Sequence, residues 1–238
     1  MPANRIKLEP ALERRYARQA QKRKQRQIVC KILIVCEGTK TEPNYFEAFG
    51  TYNRGTVVYD VDVKGLGANT LNVVDKAIEL KNKGEYDRVW AVFDKDSFSN
   101  DKFNSAIIKA ESNNICCAWS NEAFELWYLY HFVNRTTGMN RDEYKVAISN
   151  AVNNSPKYKL KKLYVYDKGA KDNYRIMTTY GSMDDAIKYA EAGSKIYTDK
   201  RFATHNPCTM VFKLVRQLIG KDEELNEELK KNVEKCSF

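Results

Sequence analysis

Lys31-Ile32-Leu33-Ile34-Val35-Cys36-Glu37-Gly38-Thr39-Lys40-Thr41-Glu42-Pro43-Asn44-Tyr45-Phe46 is the stretch from which the fold is read. Ile32 to Cys36 form an unbroken apolar run, too short for a helix and rich in β-branched residues, as a strand buried on both faces requires. Glu37 follows at the carboxyl end of that strand, where open α/β sheets gather ligands and catalytic groups. Gly38 lets the chain turn, and Thr41 and Pro43 predict a helix start, Thr41 as N-cap and Pro43 early in the first turn. Alone, Glu37 can equally be a solvated acid at a strand end.

A second acidic strand end separates those readings. Arg88-Val89-Trp90-Ala91-Val92-Phe93-Asp94-Lys95-Asp96 is another apolar strand running into acids, here spaced Asp-x-Asp. If the backbone stays extended past Phe93, Asp94 and Asp96 project to one side. Glu37, Asp94 and Asp96 together would make a hard, oxygen-rich cluster whose members repel unless a cation sits between them, and Mg²⁺ or Mn²⁺ suits such donors.

These blocks carry a family resemblance. A strand-end Glu followed by Gly, with Asp-x-Asp closing a later strand, resembles the Toprim pattern of topoisomerases, primases and OLD-type nucleases. Glu37 to Phe46, Asp94-Lys95-Asp96, Ser120-Asn121-Glu122-Ala123-Phe124-Glu125-Leu126-Trp127 and Asn206-Pro207-Cys208-Thr209, in that order, are similar to the RloB-like proteins, Toprim-related proteins associated with bacterial phage-defence and restriction loci. The match runs from about residue 31 to 220; the acids alone are a weak signature, and the four ordered blocks are specific. One departure is visible: Glu122 stands where the family pattern has Pro. The resemblance implies a Toprim-like α/β fold, a role in antiphage defence or abortive infection, and a separate ATPase of the ABC/AAA type as partner.

The net charge of +9 is unevenly distributed. Residues 1–31 hold ten basic side chains against Glu9 and Glu13, a balance of +8 that leaves +1 for the other 207 residues. Arg14, Arg15, Arg18, Lys22, Arg23, Lys24 and Arg26 lie in a stretch of good helix formers with almost no apolar stripe, which cannot bury a core of its own. Residues 1–30 are therefore expected to be a basic, mobile arm, suited to sequence-indifferent contact with phosphates or to solubilising and docking roles. No run of eighteen apolar residues suits a membrane span, and the amino terminus has no signal-peptide core. Six cysteines without a C-x-x-C pair and only two histidines argue against zinc and for a reduced, cytoplasmic chain.

Further along, Thr56 to Val63 predicts a strand, followed by Lys64-Gly65-Leu66-Gly67 and a helix with Leu71, Val74, Ala77 and Ile78 inward. This step imitates a dinucleotide fingerprint but lacks its third glycine, and no phosphate-binding GxxxxGK[ST] loop occurs. Ser99 or Asn100 is expected to cap a helix through Phe103, Ala106, Ile107 and Ala110, and Ile115 to Trp119 reads as a strand. Strand and helix thus alternate over residues 31–120, the pattern of a mostly parallel α/β sheet flanked by helices. Residues 121–238 read as a mainly helical elaboration packed on that core. Asn121 is expected to cap an apolar helix through Val133, with Glu125 either a first-turn stabiliser or a further carboxylate of the site, and His131 a core or surface residue. Lys157 to Tyr166 interleaves Lys159, Lys161 and Lys162 with tyrosines, which suits either a nucleic-acid groove or an amphipathic surface strand. Ser182 is expected to cap a helix with Ile187, Ala190 and Ile196 inward, and Asn206-Pro207 to start the helix of Val211, Leu214 and Leu218.

The expectation is a metal-dependent nuclease using Mg²⁺ (or Mn²⁺) held by Glu37, Asp94 and Asp96, with Glu42 or Glu125 completing the shell or orienting the water and Lys40 in contact with the scissile phosphate. The expected substrate is DNA, tRNA or another RNA, and the expected assembly is a monomer or a homo-oligomer. The rival expectation is a non-catalytic component that binds nucleic acid or the ATPase.

Overall fold

The computed structural model describes residues 28–50, 52–54, 57–67, 70–96 and 98–235. The basic residues between Arg14 and Arg26 lie outside that set. The first half of the chain runs β1 (Ile28–Cys36), α1 (Thr41–Glu47), β2 (Tyr52–Arg54), β3 (Val57–Gly65), α2 (Thr70–Lys83), β4 (Arg88–Asp94), α3 (Asn100–Ser112) and β5 (Cys116–Asn121). The second half follows with α4 (Glu125–Tyr130), α5 (Tyr144–Asn153), α6 (Asn173–Tyr180), α7 (Met183–Ser194), β6 (Cys208–Thr209), α8 (Val211–Leu218) and α9 (Glu223–Lys235). The strands form one sheet in the order β2-β3-β1-β4-β5-β6. Its four central strands are parallel, and β2 and β6 close the edges antiparallel. The fold is α/β, a mostly parallel sheet flanked by helices.

Strand periodicity divides the core between two faces. Ile32, Ile34 and Cys36 of β1, with Trp90 and Val92 of β4, face one side; Leu33, Val35, Val89, Ala91 and Phe93 face the other. Helix α1, through Tyr45 and Phe46, belongs to the first face, while α2 and α3 cover the second. Right-handed crossovers demand this division, because β1 to β3 steps one way along the sheet, whereas β3 to β4 and β4 to β5 step the other. Helices α4 to α9 add their buried residues to the first face, where Tyr45 packs edge-on against Phe124 and Tyr174 at ring centroid distances of 5.6 and 5.2 Å.

Several local expectations are corrected. β1 begins at Ile28, so residues 28–30 belong to the sheet and not to an arm, and the helical half contributes β6 to that sheet. Asn121 is the last residue of β5 and donates its Nδ2 to Ala203 O at 3.0 Å; α4 begins only at Glu125, has no side-chain cap and stops at Tyr130. Asn206-Pro207 leads into β6 rather than a helix, because Cys208 pairs with Asn121 and Thr209 with Ser120 before α8 starts at Val211. Thr41 lies inside α1, whose cap position is Lys40. Ile196, expected inward, follows the end of α7 and is 69% exposed. Ser99 and Ser182 do cap α3 and α7, accepting Lys102 N at 3.4 Å and Asp185 N at 3.2 Å.

Candidate active site

The sheet order reverses at β1 and β4: the connection leaving β1 runs towards β3, and the one leaving β4 runs towards β5. A crevice opens at the carboxyl ends of two such strands, and these ends carry Glu37 and Asp94. Glu37 continues the β1 ladder, donating its N–H to Val92 O at 2.9 Å. Its carboxylate reaches across to β4 and accepts the Asp94 N–H at 3.0 Å, with the Thr70 hydroxyl of α2 at 3.5 Å. Asp94 falls in the alternation with Trp90 and Val92, so its side chain belongs to the first face, beside α1 and α4.

That face supplies two more acids. Glu42, in the first turn of α1, packs on the Gly38 turn so closely that a Cβ at Gly38 would lie 2.3 Å from its Oε2. Glu125 opens α4; its Oε1 accepts the Tyr166 hydroxyl at 3.1 Å and lies 3.4 Å from Lys168 Nζ, while its Oε2 is buried without a partner. Asp94, Glu42 and Glu125 are 4, 5 and 4% exposed. Burial pushes the Asp94 carboxyl well up, and the Glu42 and Glu125 charges push it further against Lys168 and Arg141. Glu42 is raised likewise, first by burial, against the pull of its own backbone N–H and Lys168. Glu37 is raised to about 7, mainly by burial, and the Asp94 N–H is the strongest opposing influence.

Asp96 arrives by a route that periodicity did not foresee. β4 ends at Asp94, and Asp96 has φ +38°, so the two acids do not meet as alternate residues of one extended strand. Arg141 joins them: Nη2 is 3.7 Å from Asp94 Oδ2, and Nη1 contacts Asp96 Oδ2. Among the described residues, no group of three or more His, Cys, Asp or Glu side chains is arranged to hold a metal ion as it stands. Glu37 and Asp94 therefore meet across two neighbouring strand ends, an arginine head stands between Asp94 and Asp96, and the expected three-carboxylate set is not assembled as a metal site among the described residues.

Two adjoining cavities open here. One, of about 540 Å³, is bounded by Glu37, Lys40, Glu42, Asp94, Asp96 and Gly67; the other, of about 470 Å³, by Glu125, Tyr144, Lys145, Val165 and Tyr166. Arg141, Asp167 and Lys168 line both. The 165–169 segment is held over α1 by Thr41 Oγ1 donating to Lys168 O at 3.2 Å and Asn44 Nδ2 donating to Gly169 O at 3.3 Å. Arg141, Tyr166 and Lys168 escaped sequence reasoning, since no spacing rule links them to the strand ends. Lys159, Lys161 and Lys162 are exposed but line neither cavity. Their segment is neither strand nor helix, and its tyrosines pack inward, Tyr158 on Tyr180 at 4.9 Å and Tyr166 on Tyr128 at 5.9 Å. Tyr166 is thereby buried away from any base, Tyr158 and Tyr164 are half-buried, and the lysines stay exposed. His131 is a core residue, with Nδ1 2.9 Å from Trp127 O.

Fold and site together define an α/β protein with acidic side chains, an arginine and a lysine at the switch point of a mostly parallel sheet. A model of the RloB-like protein family matches residues 32–218, and the chain belongs to that family. No curated protein and no solved structure matches the chain. No helix among the described residues is long and apolar enough to cross a membrane.

Proposed function

We propose that the protein is a divalent-metal-dependent nuclease that acts in bacterial antiphage defence under the control of a separate ABC/AAA-type ATPase. The carrying observation is the meeting of Glu37 and Asp94 at the switch point, Oε2 to N 3.0 Å, beside the buried acids Glu42 and Glu125. The fit to Mg²⁺ or Mn²⁺ rests on the donor set, the hard carboxylate oxygens of Glu37, Glu42, Asp94 and Asp96 that line one cavity. Glu37, Asp94 and Asp96 would hold the ion, and Arg141 would have to release the two aspartates first. When bound, the ion supplies an activated water and stabilises charge on the leaving oxygen.

The chain's own groups do the remaining work in this reading. Lys40, on the cavity wall, orients the phosphate by charge. Tyr166 and Lys168 fix Glu125 from one side. The defence setting and the ATPase rest on the family resemblance alone.

A specific observation favours a second reading, a non-catalytic component that binds nucleic acid or the ATPase: Arg141 already occupies the space between Asp94 and Asp96. Glu37→Ala and Asp94→Ala separate the two. Nuclease activity on DNA and RNA with Mg²⁺ should fall at least a hundredfold in each folded variant, in the range of removing a principal catalytic group. Activity that survives both changes rejects the catalytic assignment.

A further inference from the structure

Arg141 has a fixed root and a movable head. Its backbone N–H donates to Glu122 Oε2 at 3.1 Å, and the Arg141–Glu143 turn is closed by a capping box in which Asn140 N donates to Glu143 Oε2 at 2.8 Å. Its side chain is long, 37% exposed, and reaches Asp94 and Asp96 from the wall shared by both cavities. The head can thus move to either side without disturbing the turn. Two cations cannot share the same pair of carboxylates without strong repulsion, because like charges a few ångström apart in a partly buried site are poorly screened.

We infer that Arg141 is the resident counter-cation of Asp94 and Asp96 in the free protein, and that it transfers to a backbone phosphate of the nucleic acid when a divalent ion takes the aspartates. The inference rests on the metal-dependent reading above. The Asp96 partner is 42% exposed, so that half of the contact is cheap to break in water. Lys168 stays with Glu125 at 3.4 Å, so the neighbouring buried carboxylate keeps its own cation throughout. A guanidinium is also the cation best shaped for two-point contact with a phosphate. The competing account makes Arg141 a strut that pins its turn to the end of β4, and it predicts the opposite sign.

Mn²⁺ binding to the full-length protein by titration calorimetry, without nucleic acid, decides between them. Arg141→Gln should bind Mn²⁺ on the order of tenfold more tightly than the wild type, and Arg141→Lys, which keeps the charge, should stay close to it. With Ca²⁺ present, Arg141→Gln should bind fluorescent single-stranded DNA and RNA oligonucleotides more weakly, with a log affinity–log salt slope shallower by about one. If wild type binds Mn²⁺ and Arg141→Gln binds it equally or less well, the counter-cation role is overturned while the metal reading stands. Unchanged oligonucleotide binding overturns the transfer to phosphate. If neither protein binds Mn²⁺, the metal reading falls and takes this inference with it. Should the variants fail to fold, the Arg141 Nε resonance of the wild type serves instead: it should shift on Mg²⁺ titration, and a signal that stays put while Mg²⁺ binds overturns the proposal.

Discussion

At the scale of single residues, Glu37 is pulled two ways. The Asp94 N–H favours its charged form, and burial, the larger influence, lifts its carboxyl from 4.5 to about 7. A folded Glu37 therefore holds its proton more tightly than an unfolded one, so its contribution to stability is fully present below pH 4.5 and is lost as pH rises through about 7. Glu37→Gln keeps an acceptor for the Asp94 N–H and removes that loss. In metal-free buffer the variant should melt above the wild type beyond pH 7 and converge with it towards pH 4.5; a wild type that remains the more stable form in the alkaline range contradicts the assignment. His131 runs the opposite way. Burial lowers it from 6.5 to about 4, so the stability it carries is present above 6.5 and lost as pH falls through about 4. Glu37 and Asp94 could be picked out from sequence because each ends an apolar run. Arg141 could not, because its role depends on a contact with residues more than forty positions away.

Elements tell a similar story. Strands β1, β3, β4 and β5 and helices α2 and α3 follow from apolar runs and periodicity, since burial on two faces or on one stripe writes itself into local sequence. Strands β2 and β6, of three and two residues, are too short for any period to register. Asn121 and Asn206-Pro207 carry good local capping signals, yet pairing of β5 with β6 overrides them. The turn from β1 into α1 shows how tightly elements meet at the site. A Cβ at Gly65, the last residue of β3, would lie 2.7 Å from Gly38 O and 2.8 Å from Pro43 Cγ. Gly65→Ala must push the Gly38 turn and the start of α1 off β3, carrying Glu42 with them. A loss of about 1–3 kcal/mol is expected in urea unfolding, the usual range for overpacking; an unchanged midpoint and slope would show that the turn has slack.

For the whole molecule, charge and topology act separately. Residues 1–27 carry nine basic side chains against two acidic ones, and the body they precede is close to neutral. Deleting them should weaken oligonucleotide binding and flatten its salt dependence. An unchanged salt slope would reduce this stretch to a tail. The amino-acid sequence by itself determined the α/β class, the acids at the ends of β1 and β4, and the family that the ordered blocks indicate. Those features follow from short-range rules of burial, alternation and turn formation. Only the tertiary structure decided that Glu42 and Glu125 lie beside Asp94, that Arg141 bridges Asp94 and Asp96, and that Lys168 pairs with Glu125. Such pairings join distant stretches of chain, and the physical reason they form is the need to compensate buried charge, which has no period in sequence and exists only once the sheet has brought the charges together.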